Sequence, residues 1–370
     1  MAMTPRERLL ATAAFEPPDR PFRMETLGFW NETFERWHRE GLPGEINEVV
    51  SATLYFGCDP QLPLPIGDSD QPGFFPAFED EVIEERGEYV IKRDVSGSIV
   101  QVLASGASTI PSIIEAPVKD VESWNRVKER LDPSSEGRLD QFLWILDIPG
   151  SEEWPMWVYL DGLFGTHRHL LGFTPLMIAY KRQPDLLKAI ARHWVSFWRG
   201  IIEKIAERRR PDAIYVWEDM CYKNGPMIGP KAFEEFMAPY YRDLIGFARD
   251  EMGVPVVCVD TDGDLLELVP KFVDAGVNML VPWEVQAGMD VVAVRREWPS
   301  EFVIWGGIDK RALYEDRKAI DEEVMRVVLP MLEAGGYIPA IDHAVPPEVS
   351  LENWRYFLEL VRDLGDKHCA

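Results

Sequence analysis

From about residue 155 one pattern recurs six times in a row: a short apolar run ending in polar or glycine residues, then an amphipathic helix. MWVYLDGLFG (156–165) precedes a helical stretch over 174–209, and AIYVWEDM (213–220) precedes apolar positions at three- and four-residue spacing over 231–253. VPVVCVDTDG (254–263) leads into DLLELVPKFVDAG, and VNMLVPWE (277–284) into a helix near 289–298. FVIWGGIDK (302–310) and GYIPAIDHAVP (336–346) each precede a long amphipathic segment. Gly253, Gly276 and Gly335 fall where helices should stop.

Repeated strand–helix units demand a parallel sheet covered by helices. With PFRMETL (21–27) as a first strand and one further unit before residue 155, eight strands are reachable. The expected fold is therefore an α/β (β/α)8 TIM barrel. No GxGxxG follows a first strand, which argues against a doubly wound sheet. The first 50 residues read as helices packed on the barrel. Residues 80–103 break the rhythm with period-two alternation, as an antiparallel β insertion would. No Ser/Gly linker divides the chain, so residues 1–370 are expected to form one domain.

Composition narrows the partners. The formal charge of −24 repels polyphosphates, so neither nucleic acid nor an anionic membrane is an expected partner. No apolar run reaches the roughly 20 residues of a membrane helix, and MAMTPRERLL lacks a signal-peptide core. A cytoplasmic protein is expected. The four cysteines show no CxxC spacing and imply no disulfide framework.

In a barrel of this kind the active site lies at the C-terminal ends of the strands. Those ends carry Glu25, Asp161, His167, Glu218, Asp219, Asp260, Asp262, Glu284, Asp309, Asp342 and His343. Most are acids. Cys258, Asp260 and Asp262 share a parity, so one strand face can present all three. Carboxylates converging on one mouth repel unless they are protonated or hold a cation. A divalent metal on Asp and His ligands is the simplest resolution, and zinc accepts both. Cys258 reads as core and Asp264 as a helix cap. His38, His169, His193 and His368 read as structural, and Trp30, Trp217 and Trp283 could wall a pocket.

Several segments together carry a resemblance. TPRERLLATAAFEPPDRPFR, GFWNETFERWHREGLP, YFGCD, WEDMCYKNGPMIGPKAFEEFMAPYY, VDTDGDLLELVP, GVNMLVPWEVQAGMD, WGGIDK and GGYIPAIDHAVPPEVSLENW occur in that order. The chain resembles the uroporphyrinogen decarboxylase superfamily, and within it the corrinoid-linked methyltransferase branch. Genuine decarboxylases of this family carry an arginine-rich segment after the first strand. Here that place reads FRMETLGFW, with Arg23 alone, too few basic groups for an octa-carboxylate substrate.

The methyltransferases of the branch hold zinc with a His-x-Cys pair and a later Cys. Anchored on Gly263, those places fall on Asp260 and Asp262, and the late one at or beside His343. The resemblance thus implies Asp260, Asp262, His343 and Glu218 as metal ligands, with Glu218, Asp219 and His343 as catalytic groups. Substrate contacts are expected from Tyr222, Lys223, His167, Trp283 and Asp342. It further implies methyl transfer between a small substrate, such as a methoxylated aromatic, and a corrinoid (cobalamin) carried by a partner protein. A homodimer is also implied. The alternative expectation is a metal-independent lyase that decarboxylates a small carboxylated molecule, its acids acting as proton donors.

Overall fold

The computed structural model describes residues 2–67, 73–105 and 112–369. Strand β1 (Leu62–Pro65) is followed by an antiparallel sheet of β2 (Glu81–Arg86), β3 (Tyr89–Arg93), β4 (Ile99–Leu103) and β5 (Ser112–Glu115). Then come β6 (Met156–Asp161), β7 (Ala213–Trp217), a small hairpin of β8 (Cys221–Tyr222) and β9 (Gly225–Pro226), β10 (Val256–Asp260), β11 (Met279–Val281), β12 (Val303–Trp305) and β13 (Tyr337–Ile338). One sheet joins β1, β6, β7, β10, β11, β12 and β13 in that order, every pair parallel.

The eighth wall is not a regular strand. Residues 21–29 run extended between β13 and β1, with Phe29 bridging Val345 and the Arg23 carbonyl accepting from the Asp59 N–H. The Arg23 N–H donates to the Asp59 carboxylate and the Met24 carbonyl accepts from Trp305 Nε1. Side chains thus take backbone groups that a ladder would use, and Pro21 has no N–H to offer. Phe22 and Met24 still point inside and close the barrel as the strand expected at 21–27 would.

Strand parity divides the core in two. Trp157, Tyr215, Cys258, Met279, Val281, Trp305 and Ile338 fill the barrel interior. Their neighbours Val158, Leu160, Ile214, Val216, Val257, Val259, Leu280 and Ile304 face the helices. Both faces are buried, which explains why these strands read as unbroken apolar runs.

The helices are shorter than the periodicity suggests. The stretch expected over 174–209 is two helices, Phe173–Arg182 and Pro184–Ala206, divided before Pro184, and a separate helix, Leu163–Leu171, precedes them and ends at Gly172 (φ 78°). The 264–276 segment is helical only over Val269–Asp274. Asp264 therefore closes a turn onto the Leu266 N–H (3.1 Å) instead of capping that helix. No helix among the described residues is long and apolar enough to cross a membrane.

Candidate active site

The parallel registers align Asp161, Trp217 and Asp260 as neighbours at the C-terminal ends of β6, β7 and β10. One step below them Tyr159, Tyr215 and Cys258 form a second row. The Tyr159 and Tyr215 rings lie 4.7 Å apart, and the Tyr215 hydroxyl donates to Asp260 Oδ2 at 2.7 Å. Burial, and then the charge of Asp262, hold the Asp260 carboxyl well above the usual carboxylate range.

Asp262 turns the other way and meets His343 beyond β13, with Oδ2 at 3.4 Å from Nε2. Burial resists a charge on His343, but the Asp262 carboxylate overcomes it, so the imidazole titrates above its ordinary value. Asp262 Oδ1 is buried without a hydrogen-bond partner. Asp342, fully buried, accepts from the Val285 and Lys310 N–H groups and pairs with Lys310 Nζ at 3.3 Å. It ties the loops after β11 and β12 to the segment that carries His343. The Gly263 N–H donates to Glu284 Oε2 (3.2 Å), which fixes the loop behind Asp262.

The β6–β7 side holds a second set. Asp219 adopts φ 42°, a left-handed conformation uncommon outside glycine, and pairs with Arg168 at 2.8 Å. The Arg168 guanidinium lies 4.9 Å from the Trp217 ring centre, and His169 stacks on the same indole. His169 Nδ1 lies 2.9 Å from Asp161 Oδ2. Sequence reasoning gave His169 a structural role because it lies on a helix. Its signal was the spacing from Asp161, eight residues on, where about two helical turns after β6 bring the side chain back over the strand end.

Glu218 stands apart from the metal set expected for it. Oε1 accepts from the Leu163 N–H (2.9 Å), and Oε2 from Phe164 (2.8 Å) and Gly165 (3.2 Å). The Tyr241 hydroxyl completes the shell. These are the free amides that open the Leu163–Leu171 helix, where an acid side chain is favoured. Burial raises the Glu218 carboxyl to about 8 even against these donors. Its role here is to hold that helix.

Other expectations shift as well. His167 is fully buried against the Leu187 carbonyl, and burial lowers its pKa to about 4. Trp283 is fully buried too, stacked on Phe302 with Nε1 donating to the Leu280 carbonyl. Tyr222 and Lys223 are exposed on the β8–β9 hairpin, where the Tyr222 carbonyl accepts from the Asp264 N–H and so packs on the Asp262 loop.

Asp262 and His343 could offer two donors to a cation. Among the described residues no three His, Cys, Asp or Glu side chains stand close enough to hold a metal ion. Asp260 is bonded to Tyr215, and Glu218 to the helix amides. The donors expected for zinc are present in the sequence, but their arrangement does not fit a catalytic zinc site.

A barrel with acid–base groups at its strand ends is the layout of a (β/α)8 enzyme. The uroporphyrinogen decarboxylase (URO-D) family model matches residues 102–364, more than half of the sequence, and the chain belongs to that family. Among curated relatives, the uroporphyrinogen decarboxylase of Pseudomonas fluorescens is 28% identical over 187 residues, 50% of this chain and 48% of that one. That of Alcanivorax borkumensis is 27% identical over 265 residues, 70% of each chain. That of Geobacter metallireducens is 30% identical over 144 residues, 39% of this chain and 40% of that one. The alignments to the first and third thus span half or less of those relatives. A solved methyltransferase from Methanosarcina mazei superposes with a TM-score of 0.67 over 98% of both chains, at 16% identity. That likeness concerns the fold.

Proposed function

We propose that the chain transfers a methyl group from a small, neutral methylated substrate to a corrinoid protein, with proton-assisted departure of the leaving group. The observation that carries this reading is the buried Asp260 carboxyl, held by the Tyr215 hydroxyl at 2.7 Å, beside the Asp262–His343 pair. An alkoxide or phenoxide is a poor leaving group. A proton delivered to the ether oxygen as the methyl–oxygen bond breaks removes the developing charge. The electron pair of that bond stays on oxygen, and Asp260 or His343 supplies the proton. The partner's reduced corrinoid supplies the pair that forms the new bond to the methyl carbon. No metal enters this sequence of events, because the donors do not fit one.

A second reading has its own support. The family match and the curated relatives favour decarboxylation, and a neutral acid can protonate the carbon that carbon dioxide leaves. The scarcity of basic groups near Arg23 stands against a polycarboxylate.

One experiment separates the two. The purified chain is given an aromatic methyl ether with a reduced corrinoid protein, and separately a methoxybenzoate alone. Methyl transfer predicts a change in the corrinoid spectrum that needs this chain and survives a metal chelator. Carbon dioxide release from the second mixture, with an unchanged corrinoid, rejects it. Loss of transfer on chelation with recovery on added zinc rejects the metal-free form.

A further inference from the structure

Arg168 lies on the Leu163–Leu171 helix, which follows β6 and returns over the end of β7. Glu218 fixes the start of that helix through the Leu163, Phe164 and Gly165 N–H groups. Trp217 shares the inward parity of Ala213 and Tyr215 and packs on the interior cluster. The guanidinium 4.9 Å from its ring centre therefore stands at the mouth of the barrel. The end of β10 is tied to the same place, since the Glu218 and Asp219 N–H groups donate to the Asp260 carbonyl at 2.9 and 3.3 Å.

Asp219 engages this guanidinium at a single nitrogen. With its backbone at φ 42°, both its carbonyl (3.3 Å) and its Oδ2 (2.8 Å) accept from Nη1. Nε and Nη2 bond no described residue and are not buried, and the side chain keeps 20% of its surface accessible. Lys310, by contrast, is bonded to both Gln286 and Asp342. A guanidinium is always charged and presents its donors as a fixed fork. When a methyl ether is cleaved, the bonding pair stays on oxygen, and the charge that grows there is disfavoured in a mouth lined by acids unless a fixed cation meets it. We infer that Arg168 stabilises the leaving oxygen, its Nε and Nη2 donating hydrogen bonds to that atom as its bond to the methyl carbon breaks. The methyl carbon goes to the partner's reduced corrinoid, and the proton comes from Asp260 or His343. This rests on the methyl-transfer reading for its place in the reaction.

The test is calorimetric titration of the intact chain with two ligands that share a ring. One is 4-nitrophenol in alkaline buffer, where it is an anion, and the other is 4-nitroanisole, its neutral methyl ether. The anion is expected to bind roughly tenfold or more tightly than the ether, as a charge-assisted hydrogen bond allows. Arg168→Gln is expected to abolish that preference while 4-nitroanisole binding is unchanged, a pattern that collapse of the mouth would not give. Arg168→Lys keeps the charge without the fork and is expected to bind the anion more weakly than the parent; it decides if Arg168→Gln does not fold. Failure of the anion to bind, binding no tighter than the ether, or an unchanged preference in either variant overturns the inference. Neither ligand has to react, so the result bears on Arg168 and not on whether a methyl group is transferred.

Discussion

Asp260 and Asp262 are two residues apart, yet they do different work. Asp260 is sealed against Tyr215, with its carboxyl raised by burial, whereas Asp262 is one-third exposed and faces His343. The sign for His343 follows from its raised pKa. The pair's contribution to stability is complete below the unfolded value of about 6.5 and disappears as pH rises through the higher folded value. A half-exposed pair contributes about 1 kcal/mol or less. His343→Gln should therefore abolish a small alkaline loss of melting temperature. It should also remove an alkaline decline in turnover, if His343 acts as the acid; unchanged pH profiles would reject this role. Glu218 makes a different prediction. Glu218→Ala strands three buried amides and the Tyr241 hydroxyl, at about 1–3 kcal/mol for each donor that water does not reach. Glu218→Gln, which keeps one acceptor, should melt higher than Glu218→Ala. A Glu218→Ala protein as stable as the parent would contradict the assignment.

The loop after β10 is set by its contact with the β8–β9 hairpin. Gly263 has φ 81°, and a Cβ there would stand 2.7–2.8 Å from backbone atoms of Tyr222. Gly263→Ala should displace the Asp262 loop and lower turnover at least tenfold while the far-ultraviolet circular dichroism stays native. Unchanged turnover would show that the loop does not position Asp262. At this scale the sequence is legible in part. The β7, β10 and β13 regions are visible as apolar runs because both faces are buried, and their ends point to Asp260, Asp262 and His343. The partners of Glu218 are not visible, because Leu163, Phe164 and Gly165 offer only backbone N–H groups, more than 50 residues away in the chain. The 174–209 segment reads as one helix because its apolar period runs on past Pro184, which opens a new helix after Gln183. Trp283 lies next to a strand end, but its φ of 66° turns the indole into the core.

Across the whole molecule, the acidic surface and the barrel mouth have separate consequences. A net charge of −24 disfavours polyanions as partners. At the mouth the charges are largely balanced, Asp219 by Arg168, Asp342 by Lys310 and Asp262 by His343. Burial raises the Asp260 carboxyl well above the usual carboxylate range, as it also raises Asp161 and Glu25, and Asp260 is the group the proposed reaction needs. A surface groove of about 750 Å³, lined by Glu40, Arg317 and Arg355, lies among helices and not at the strand ends. The deciding measurement follows the methyl group itself. Ortho-methoxyphenol labelled in its methyl carbon is mixed with this chain and a corrinoid protein in its cobalt(I) state, and the label is tracked by NMR. The account predicts that the label moves from oxygen to cobalt only when the chain is present, and at least tenfold more slowly with Asp260→Asn. A label that stays on oxygen, or moves equally fast with that variant, would contradict it.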